Sequence, residues 1–336
     1  MAVSIREVAA AAGVSVGTVS NVLNTPGKVS ATTVARVQSA IEQLGFVRND
    51  AARQLRAGRS RCVGMVVLDV GNPFFADIAR AAERRAHEHD LTVLLGTSDQ
   101  DISRQDAYVD TFDEQRVFGL LVSPVSDDLR RLEALQRRGT PVVLVDRDAT
   151  GTEFSSVAVY DVAGGRAAVN HLYATGRRRI AFVGGPDSLQ QVRDRRQGAE
   201  LAIADAVGAT LEVIETDSLS VIAGRQVGAA LLTRRPADRP DGIFCANDLV
   251  AIGMLQALTM VGDIRIPEDI ALIGYDDIDF ARSTVVSLSS MRQPRDDIGA
   301  TAMDLLVAAA DGRSMPTRTV FQPELVARAS TVGRGR

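Results

Sequence analysis

Apolar residues are spaced differently in the first 45 residues and in the rest of the chain. The N-terminal stretch has apolar positions three and four apart, which is typical of amphipathic helices. From residue 62 onward the apolar residues form short continuous runs separated by helix-like stretches, which is typical of parallel strands buried on both faces. These runs are CVGMVVLD, TVLLGT, GLLVSP, PVVLVD, RIAFVGG, LEVIETD, GIFCAND and IALIGYDD. The pattern predicts an α/β protein with an all-α N-terminal headpiece followed by two doubly wound parallel-sheet lobes.

The headpiece carries the signals of three short helices. Ser4 followed by Glu7 is a capping box, and the alanines after it favour helix over strand. Ser15 stands where the N-cap of a second helix is expected. A third helix over SATTVARVQSAIEQL is predicted to begin at Ser30 and end at Gly45. Two short helices joined at a tight turn predict a helix-turn-helix.

The turn itself, GVSVG, also fits the GxSxG pattern of a hydrolase nucleophile elbow. That elbow needs a buried strand before the serine, and a helix is predicted before Ser15, so hydrolysis is the weakest interpretation. On the second helix, Val19, Val22 and Leu23 share one face. The opposite face carries small or weakly polar residues, namely Val16, Gly17, Ser20 and Asn21. Such a helix is compatible with packing in a small bundle or with contact to DNA.

The charge distribution favours DNA. Residues 1–61 hold eight Lys or Arg against three acidic residues, a net charge of +5, whereas the whole chain carries −4, so residues 62–336 carry −9. A basic headpiece on an acidic body is typical of nucleic-acid binding, because phosphate contacts supply most non-specific affinity.

The remaining 275 residues are predicted to bind a small ligand without chemistry. Asp146, Asn247 and Asp276 end apolar runs and should gather at the cleft where the strands end. We find no dinucleotide or nucleotide loop, metal-binding pattern or catalytic triad, so neither an enzyme nor a cofactor is predicted. No apolar run reaches the length of a membrane span and no signal-peptide pattern begins the chain, which predicts a cytoplasmic location.

The chain resembles the LacI/GalR family of bacterial transcriptional regulators along nearly its whole length. The segments that carry the resemblance, in family order, are VAAAAGVSVGTVSNVLN, NDAARQLRAGRS, NPFFADIARAAE, PVVLVDR, GRRRIAFVGGP, FCANDLVAIGMLQAL, IPEDIALIGYDDI and MRQP. The resemblance implies a homodimer that binds a palindromic operator, in most cases as a repressor, under the control of a small effector. It also implies a core similar to periplasmic sugar-binding proteins. A periplasmic binding protein is therefore the alternative, and the basic headpiece argues against it.

The resemblance assigns domains and DNA-binding residues. The implied domains are a headpiece over residues 1–47, a hinge over 48–60, an N-terminal lobe over 61–160 and 292–321, and a C-terminal lobe over 161–291 and 322–331. Val16, Gly17 and Asn21 are placed at base-reading positions, with Thr18 and Ser20 near phosphates. A short hinge helix is expected to push Leu55 into a minor-groove step. The full set of expected DNA-binding residues is Ser4, Ser15, Val16, Gly17, Thr18, Ser20, Asn21, Asn24, Lys28, Ser30, Asn49, Ala52, Arg53 and Leu55.

The expected effector is a small hydroxylated molecule, a sugar or a nucleoside. The residues expected to bind it are Phe74, Phe75, Ser123, Asp146, Arg195, Leu219, Asn247 and Asp276. An alternative for Arg195 is that it only pairs with Asp276 across the closed lobes. The chain departs from the family pattern near the cleft at Asp161-Val162, at Leu219, where an aromatic is usual, and in the crossover SLSSMRQP. The last residues, ASTVGRGR, show no heptads, which predicts a dimer rather than a tetramer.

Overall fold

The computed structural model describes residues 3–46, 60–312 and 315–333. The chain divides into two compact units, residues 1–60 and 61–336. The first unit contains the headpiece, and we call the second the core; each is described by itself.

The headpiece contains three helices, α1 (Ile5–Ala11), α2 (Val16–Asn24) and α3 (Ala31–Leu44). The predicted caps are confirmed: Ser4 and Glu7 form a reciprocal capping box, and the hydroxyl groups of Ser15 and Ser30 accept hydrogen bonds from backbone amides in the first turns of α2 and α3. Gly45 ends α3 with a φ of 61°, a left-handed conformation that glycine adopts without steric cost. Local sequence signals therefore set the helix boundaries of the headpiece.

The headpiece has its own small apolar core. Val8 of α1, Val19 of α2 and Val37 of α3 are fully buried, and Leu23 packs against this cluster from its edge. The apolar face predicted for α2 is thus the face that holds the three helices together, which leaves the opposite face free for other contacts.

The core contains two six-stranded sheets, the N-sheet with strand order β11-β5-β4-β3-β1-β2 and the C-sheet with order β12-β10-β9-β8-β6-β7. The strands are β1 (Cys62–Val67), β2 (Thr92–Thr97), β3 (Gly119–Val122), β4 (Val142–Val145), β5 (Ser155–Val159), β6 (Arg179–Gly184), β7 (Thr210–Glu215), β8 (Gly242–Cys245), β9 (Ala271–Asp276), β10 (Ser289–Arg292), β11 (Arg318–Phe321) and β12 (Glu324–Val326). Every pairing is parallel except β10 with β12. The eight apolar runs are strands β1–β4 and β6–β9, which confirms the predicted fold class.

Helices connect most of the successive strands of each sheet. The helices of the core are α4 (Pro73–Glu88), α5 (Ile102–Glu114), α6 (Arg130–Arg137), α7 (Asp161–Ala174), α8 (Gln190–Ala204), α9 (Val221–Leu232), α10 (Asp248–Gln256), α11 (Arg295–Ala310) and α12 (Ala329–Val332). Among the described residues, no helix is long and apolar enough to cross a membrane.

The chain passes between the two sheets three times, after β5, after β10 and after β11. Strand β10 ends at Arg292 in the C-sheet, so the residue at which the second N-terminal-lobe segment is expected to begin still belongs to a C-sheet strand. The exact lobe boundaries stay a prediction. The crossings bring the carboxyl ends of both sheets to one cleft.

Helices α7 and α8 approach each other closely through glycines. A Cβ atom on Gly165 would lie 2.0 Å from the carbonyl oxygen of Arg195, and one on Gly198 would lie 2.1 Å from that of Val162. Any larger residue would force the helices apart. This contact fixes the position of the α8 turn that carries Arg195.

Candidate nucleic-acid interface and inter-lobe cleft

The solvent-facing side of α2 has the properties of a base-reading surface. Val16 is 42% exposed, Gly17 and Asn21 are exposed, and Thr18 and Ser20 are partly buried at the flanks. A Cβ on Gly17 would meet only the Ser15 hydroxyl, at 3.6 Å, so this side of the helix lies open. The surface offers one methyl-bearing side chain, one amide and no long charged group, which suits close approach to base edges.

Further hydroxyl groups and one lysine lie at the ends of the headpiece helices. Ser4, Ser15 and Ser30 occupy helix N-termini, where a phosphate meets backbone amides and the positive end of the helix dipole. Asn24 donates from Nδ2 to the Ser20 carbonyl oxygen at 2.8 Å, and Lys28 is exposed in the turn after α2. The expected hinge contacts Asn49, Ala52, Arg53 and Leu55 lie outside the described residues.

Arg195, on α8, is the centre of a buried polar cluster in the cleft. It is 2% exposed, and its Nε donates to Asp161 at 2.8 Å while its Nη1 donates to the carbonyl oxygen of Ala246 at 2.8 Å. The guanidinium lies 3.8 Å from the centroid of the Tyr275 ring, a cation–π contact. Three anchors from separate segments thus hold one cation in a fixed orientation.

Asp276, the last residue of β9, joins both sheets. One carboxylate oxygen accepts from Asn72 at 3.2 Å and the other from Gln293 at 2.7 Å, while Arg195 Nη1 lies 3.9 Å away. Asn72 precedes α4 on the N-sheet side, so its bond to Asp276 crosses the cleft. Arg195 and Asp276 do pair, at 3.9 Å, but both belong to the C-sheet side, so the pair does not cross the lobes, and Asp161 is the nearer carboxylate.

Asp146 enters the cleft from the other side. It follows β4, is buried, and accepts from Gln191 of α8 at 3.1 Å through Oδ2. Its second oxygen, Oδ1, has no hydrogen-bond partner in the part of the chain that the structure describes. The Gln191–Asp146 bond is a second direct link between the lobes.

Burial and mutual repulsion alter the acid strengths in this cluster. Burial raises the pKa of Asp276 to about 6, against the opposing influence of Arg195 and of the two amide donors. Burial also raises the pKa of Asp146 well above its ordinary value; Arg195 opposes this shift, and Asp161 and Asp276 add to it. For Arg195, burial alone lowers the pKa, but the nearby Asp161, Tyr275 and Asp276 raise it overall. The guanidinium of Arg195 therefore stays charged, and the carboxyl groups around it raise one another's pKa.

The other expected effector residues lie in different settings. Phe74 and Phe75, in the first turn of α4, are buried and contact each other edge to face at 5.0 Å. Ser123, directly after β3, is buried, and its hydroxyl has no partner among the described residues. The Asn247 amide caps α10 through a bond from the Val250 amide at 2.9 Å and donates to the Leu219 carbonyl oxygen at 3.1 Å. Asn247 thus holds local backbone in place, and this role leaves it one amide hydrogen for a ligand.

The three departures from the family pattern have separate outcomes. At Asp161-Val162, Asp161 anchors Arg195 and the departing Val162 packs its carbonyl oxygen against Gly198 of α8, while Leu219 is half-buried beside Asn247. In the crossover SLSSMRQP, the Ser290 hydroxyl donates to Asp248 at 2.7 Å and accepts from the Asp277 amide at 3.0 Å. That serine supports the C-sheet and leaves the cleft contact to Gln293.

Sequence reasoning did not select Asn72, Gln191, Tyr275 or Gln293 as parts of the site. Two sequence features could have indicated them. Asn72 and Gln293 lie just before a helix that follows a strand, and Gln191 lies one helical turn before Arg195. The sequence pattern predicts Tyr275 to be a core residue, because it is the penultimate residue of a buried strand. Their contacts join positions up to 204 apart in sequence, which no local pattern encodes.

At the mouth of the cleft an ion cluster joins the lobes. Arg193 of α8 contacts both oxygens of Asp127 at 2.9 Å, and Arg147, after β4, lies 3.0 Å from the same carboxylate. We call these three residues the mouth cluster. It is partly exposed and therefore contributes less per contact than the buried cluster around Arg195.

Two family descriptions match the chain: bacterial regulatory proteins of the lacI family over residues 4–49, and a periplasmic binding protein-like domain over residues 169–331. The ribose operon repressor of Halalkalibacterium halodurans is 33% identical over 98% of this chain and 97% of its own length. The transcriptional repressor PurR of Aliivibrio fischeri is 31% identical over 98% of this chain and 99% of its own.

Solved structures agree with these relatives. The lac repressor dimer bound to operator and the anti-inducer ONPF has a TM-score of 0.86 at 26% identity and covers 98% of this chain and 99% of its own. A LacI-family regulator from Enterococcus faecium with bound ribose has a TM-score of 0.73 at 25% identity, over 82% of this chain and 100% of its own.

A helix-turn-helix headpiece on a two-lobed core with a polar cleft defines a ligand-responsive, DNA-binding transcriptional regulator. The chain belongs to the lacI family of bacterial regulatory proteins. Its relatives are transcriptional repressors and not enzymes. Since α1 is the element before Ser15, the hydrolase interpretation is wrong.

Proposed function

We propose that this protein is a cytoplasmic, homodimeric repressor whose α2 helices read the two halves of a palindromic operator. The observation that carries the proposal is the exposed face of α2, where Val16, Gly17 and Asn21 lie together with no bulky or charged neighbour on the helix. One helix reads only a few base pairs, and a two-fold dimer doubles them. Val16 suits a thymine methyl group, and Asn21 suits the N6 and N7 atoms of adenine.

The finer DNA contacts belong to the same proposal. Thr18, Ser20, Asn24 and Lys28, together with the helix-capping serines, contact phosphates and set the register of α2 in the groove. The hinge residues Asn49, Ala52 and Arg53 approach the operator centre, where Leu55 wedges into a base step and bends the DNA. Leu55→Ala is expected to weaken operator binding and reduce the bend while ligand binding by the core is unchanged. An unaltered bend angle in a circular-permutation gel would contradict the hinge assignment.

The cleft binds the effector through Ser123, Asp146, Arg195 and Asp276. The phenyl groups of Phe74 and Phe75 lie at its wall, and Leu219 and Asn247 lie at its edge. Support comes from the concentration of buried polar atoms at the carboxyl ends of the strands, where ligands bind in open α/β sheets. The effector changes operator affinity only if it binds two lobe arrangements unequally. The contacts Asn72–Asp276 and Gln191–Asp146 differ between such arrangements because they cross the cleft.

Selection of bound sequences from random double-stranded DNA tests the function. The expected result is an inverted repeat whose half-sites each contain an adenine that depends on Asn21. Repeating the selection with neutral sugars and nucleosides in the buffer should change the yield of bound DNA for one ligand class. Recovery of a single, non-repeated half-site would contradict the two-fold dimer.

A further inference from the structure

The mouth cluster joins the two lobes through an arginine that is already held in place. Arg193 lies on α8 of the C-sheet side, whereas Asp127 and Arg147 follow β3 and β4 on the N-sheet side. Arg193 Nη2 donates to both carboxylate oxygens of Asp127 at 2.9 Å. Its Nη1 donates to the carbonyl oxygen of Asp187 at 2.6 Å, within its own lobe. The Arg193 guanidinium is therefore oriented before it reaches across the cleft.

Charges of opposite sign face each other across the mouth. On the N-sheet side, Arg147 lies 3.0 Å from Asp127 and donates through Nη1 to the Ser126 carbonyl oxygen at 2.6 Å. Burial lowers the pKa of Arg147; Asp127 opposes this shift, Arg193 adds to it, and Asp194 of α8 also opposes it. Each lobe thus contributes one cation and one carboxyl group, and the cation of each lies within electrostatic range of the carboxyl group of the other.

The contacts between the lobes differ in their access to dissolved salt. The Asp127 side chain is 62% exposed and that of Arg193 is 36% exposed, so ions screen their attraction. The two amide-to-carboxylate bonds that also cross the cleft are buried. A further ion pair between the lobes, Arg295–Asp279, is longer at 4.0 Å and lies at the start of α11, beside a crossover. Because the Debye length falls from about 10 Å at 0.1 M salt to about 3 Å at 1 M, rising salt weakens mainly the mouth cluster.

We propose that the mouth cluster is an ionic latch, which holds the two lobes closed in the absence of an effector and releases them as the ionic strength rises. Its contacts exist only when the lobes are closed, so they shift the equilibrium between open and closed lobes toward the closed arrangement. The latch therefore sets how often the cleft opens to solvent. This inference concerns the lobes alone, and it needs neither an identified effector nor DNA.

A thiol placed inside the cleft measures its opening. Ser123 is buried there and its hydroxyl has no partner among the described residues, so Ser123→Cys exchanges one small side chain for another. Cys62→Ser removes the half-buried native thiol, and Cys245, fully buried in β8, reports global unfolding in the same molecule. The full-length protein is treated with iodoacetamide, an uncharged reagent, and peptide mass spectrometry gives the labelling rate of each thiol. The experiment is run at about pH 8, where Asp194 is charged although burial raises its pKa to about 6.

The labelling rates should follow the state of the latch. Raising sodium chloride from about 0.1 M to about 1 M should accelerate labelling of the introduced thiol about 3-fold to 10-fold. Arg193→Gln should give a similar acceleration at the lower salt concentration and remove the further response to salt. Arg234→Gln is the matched control, because Arg234 is 34% exposed and pairs with Glu212 within the C-sheet side. It should label as the parent protein does, and Cys245 should label equally slowly in every variant.

A double variant tests whether the two residues act through one contact. Asp127→Asn should also accelerate labelling, and Asp127→Asn combined with Arg193→Gln should label no faster than the faster single variant. Multiplied accelerations would overturn the latch, and so would an Arg193→Gln protein that labels as slowly as its parent or keeps the parent's response to salt. Parallel acceleration at Cys245 would show that salt unfolds the core, which also contradicts the proposal. Since no ligand or DNA enters the experiment, each of these results leaves the proposed operator and effector binding to be judged separately.

Discussion

The α2 surface and the inter-lobe cleft are built in opposite ways. The residues expected to read DNA lie within nine consecutive positions of one helix, are exposed, and rely on caps only three residues away. The cleft residues come from the ends of β1, β3, β4, β8, β9 and β10 and from α7 and α8, are buried, and bind one another across up to 204 residues of sequence.

The difference determines which residues carry both stability and function. A side chain on the open face of α2 can be changed at little cost to the fold, because it contacts solvent. A side chain in the cleft holds other segments of the core in place, so its removal changes the fold as well as the binding site. The following variants test that distinction.

The largest effect on stability is expected from Arg195→Ala. It leaves the buried Asp161 carboxylate without its cation, which should lower the free energy of unfolding by about 3–5 kcal/mol. Urea unfolding followed by circular dichroism measures the loss, because the chain has no tryptophan. The control is Arg196→Ala on the next, more exposed position, with an expected loss below about 1 kcal/mol. Equal losses in the two variants would show that the buried cluster does not stabilise the core.

The second effect is a pH dependence from Asp276. Its pKa is about 6 in the fold and near 3.9 when unfolded, so its protonated form stabilises the native state. This contribution, at most about 3 kcal/mol, is complete below pH 3.9 and is lost as the pH rises through 6. Relative to Asp276→Asn, the wild type should therefore lose about 1–2 kcal/mol of unfolding free energy between pH 5 and pH 7.5. Parallel pH profiles of the two proteins would refute the raised pKa.

The third effect is on DNA binding alone. Asn21→Ala should cost about 1–3 kcal/mol of operator affinity, confined to one base position in each half-site, with the unfolding free energy almost unchanged. Fluorescence anisotropy with operator variants measures the loss. Gln43→Ala, on the exposed face of α3, is the control for a surface amide away from α2. If Asn21→Ala keeps the base preference of the wild type, Asn21 does not read that base.

The smallest expected effect is a gain, rather than a loss, of stability. Gly17→Ala adds a methyl group that meets only the Ser15 hydroxyl at ordinary contact distance, and alanine favours a helix, so α2 should be stabilised by up to about 0.5–1 kcal/mol. Slower hydrogen exchange of the α2 amides would report this gain. The same methyl group lies on the face proposed to read bases, so operator preference should change. A less stable α2 would mean that the face is not open as described.

The features that the sequence predicted correctly are those that depend on residues close to one another along the chain. The caps at Ser4, Ser15 and Ser30, the strands and the position of Asp146 and Asp276 at strand ends all follow from local spacing. The partners of Arg195 did not, because Asp161 is 34 residues away and the Ala246 carbonyl is 51 residues away. Asn247 was assigned to the ligand on the chemistry of its amide, but an asparagine before a helix also satisfies free backbone amides, and here it does so.

The late return of the chain to both sheets has a consequence for synthesis on the ribosome. The three headpiece helices are complete once residue 44 has emerged, and the last residue that packs against their apolar core is Phe46. Neither sheet of the core can be completed until β11 and β12 emerge, because they supply one edge strand to each. Ser330 then bonds to the Ser289 amide and the Leu272 carbonyl oxygen, which fastens the last helix to the C-sheet. A nascent chain can therefore present α2, the helix proposed to read DNA, well before the proposed effector cleft is complete.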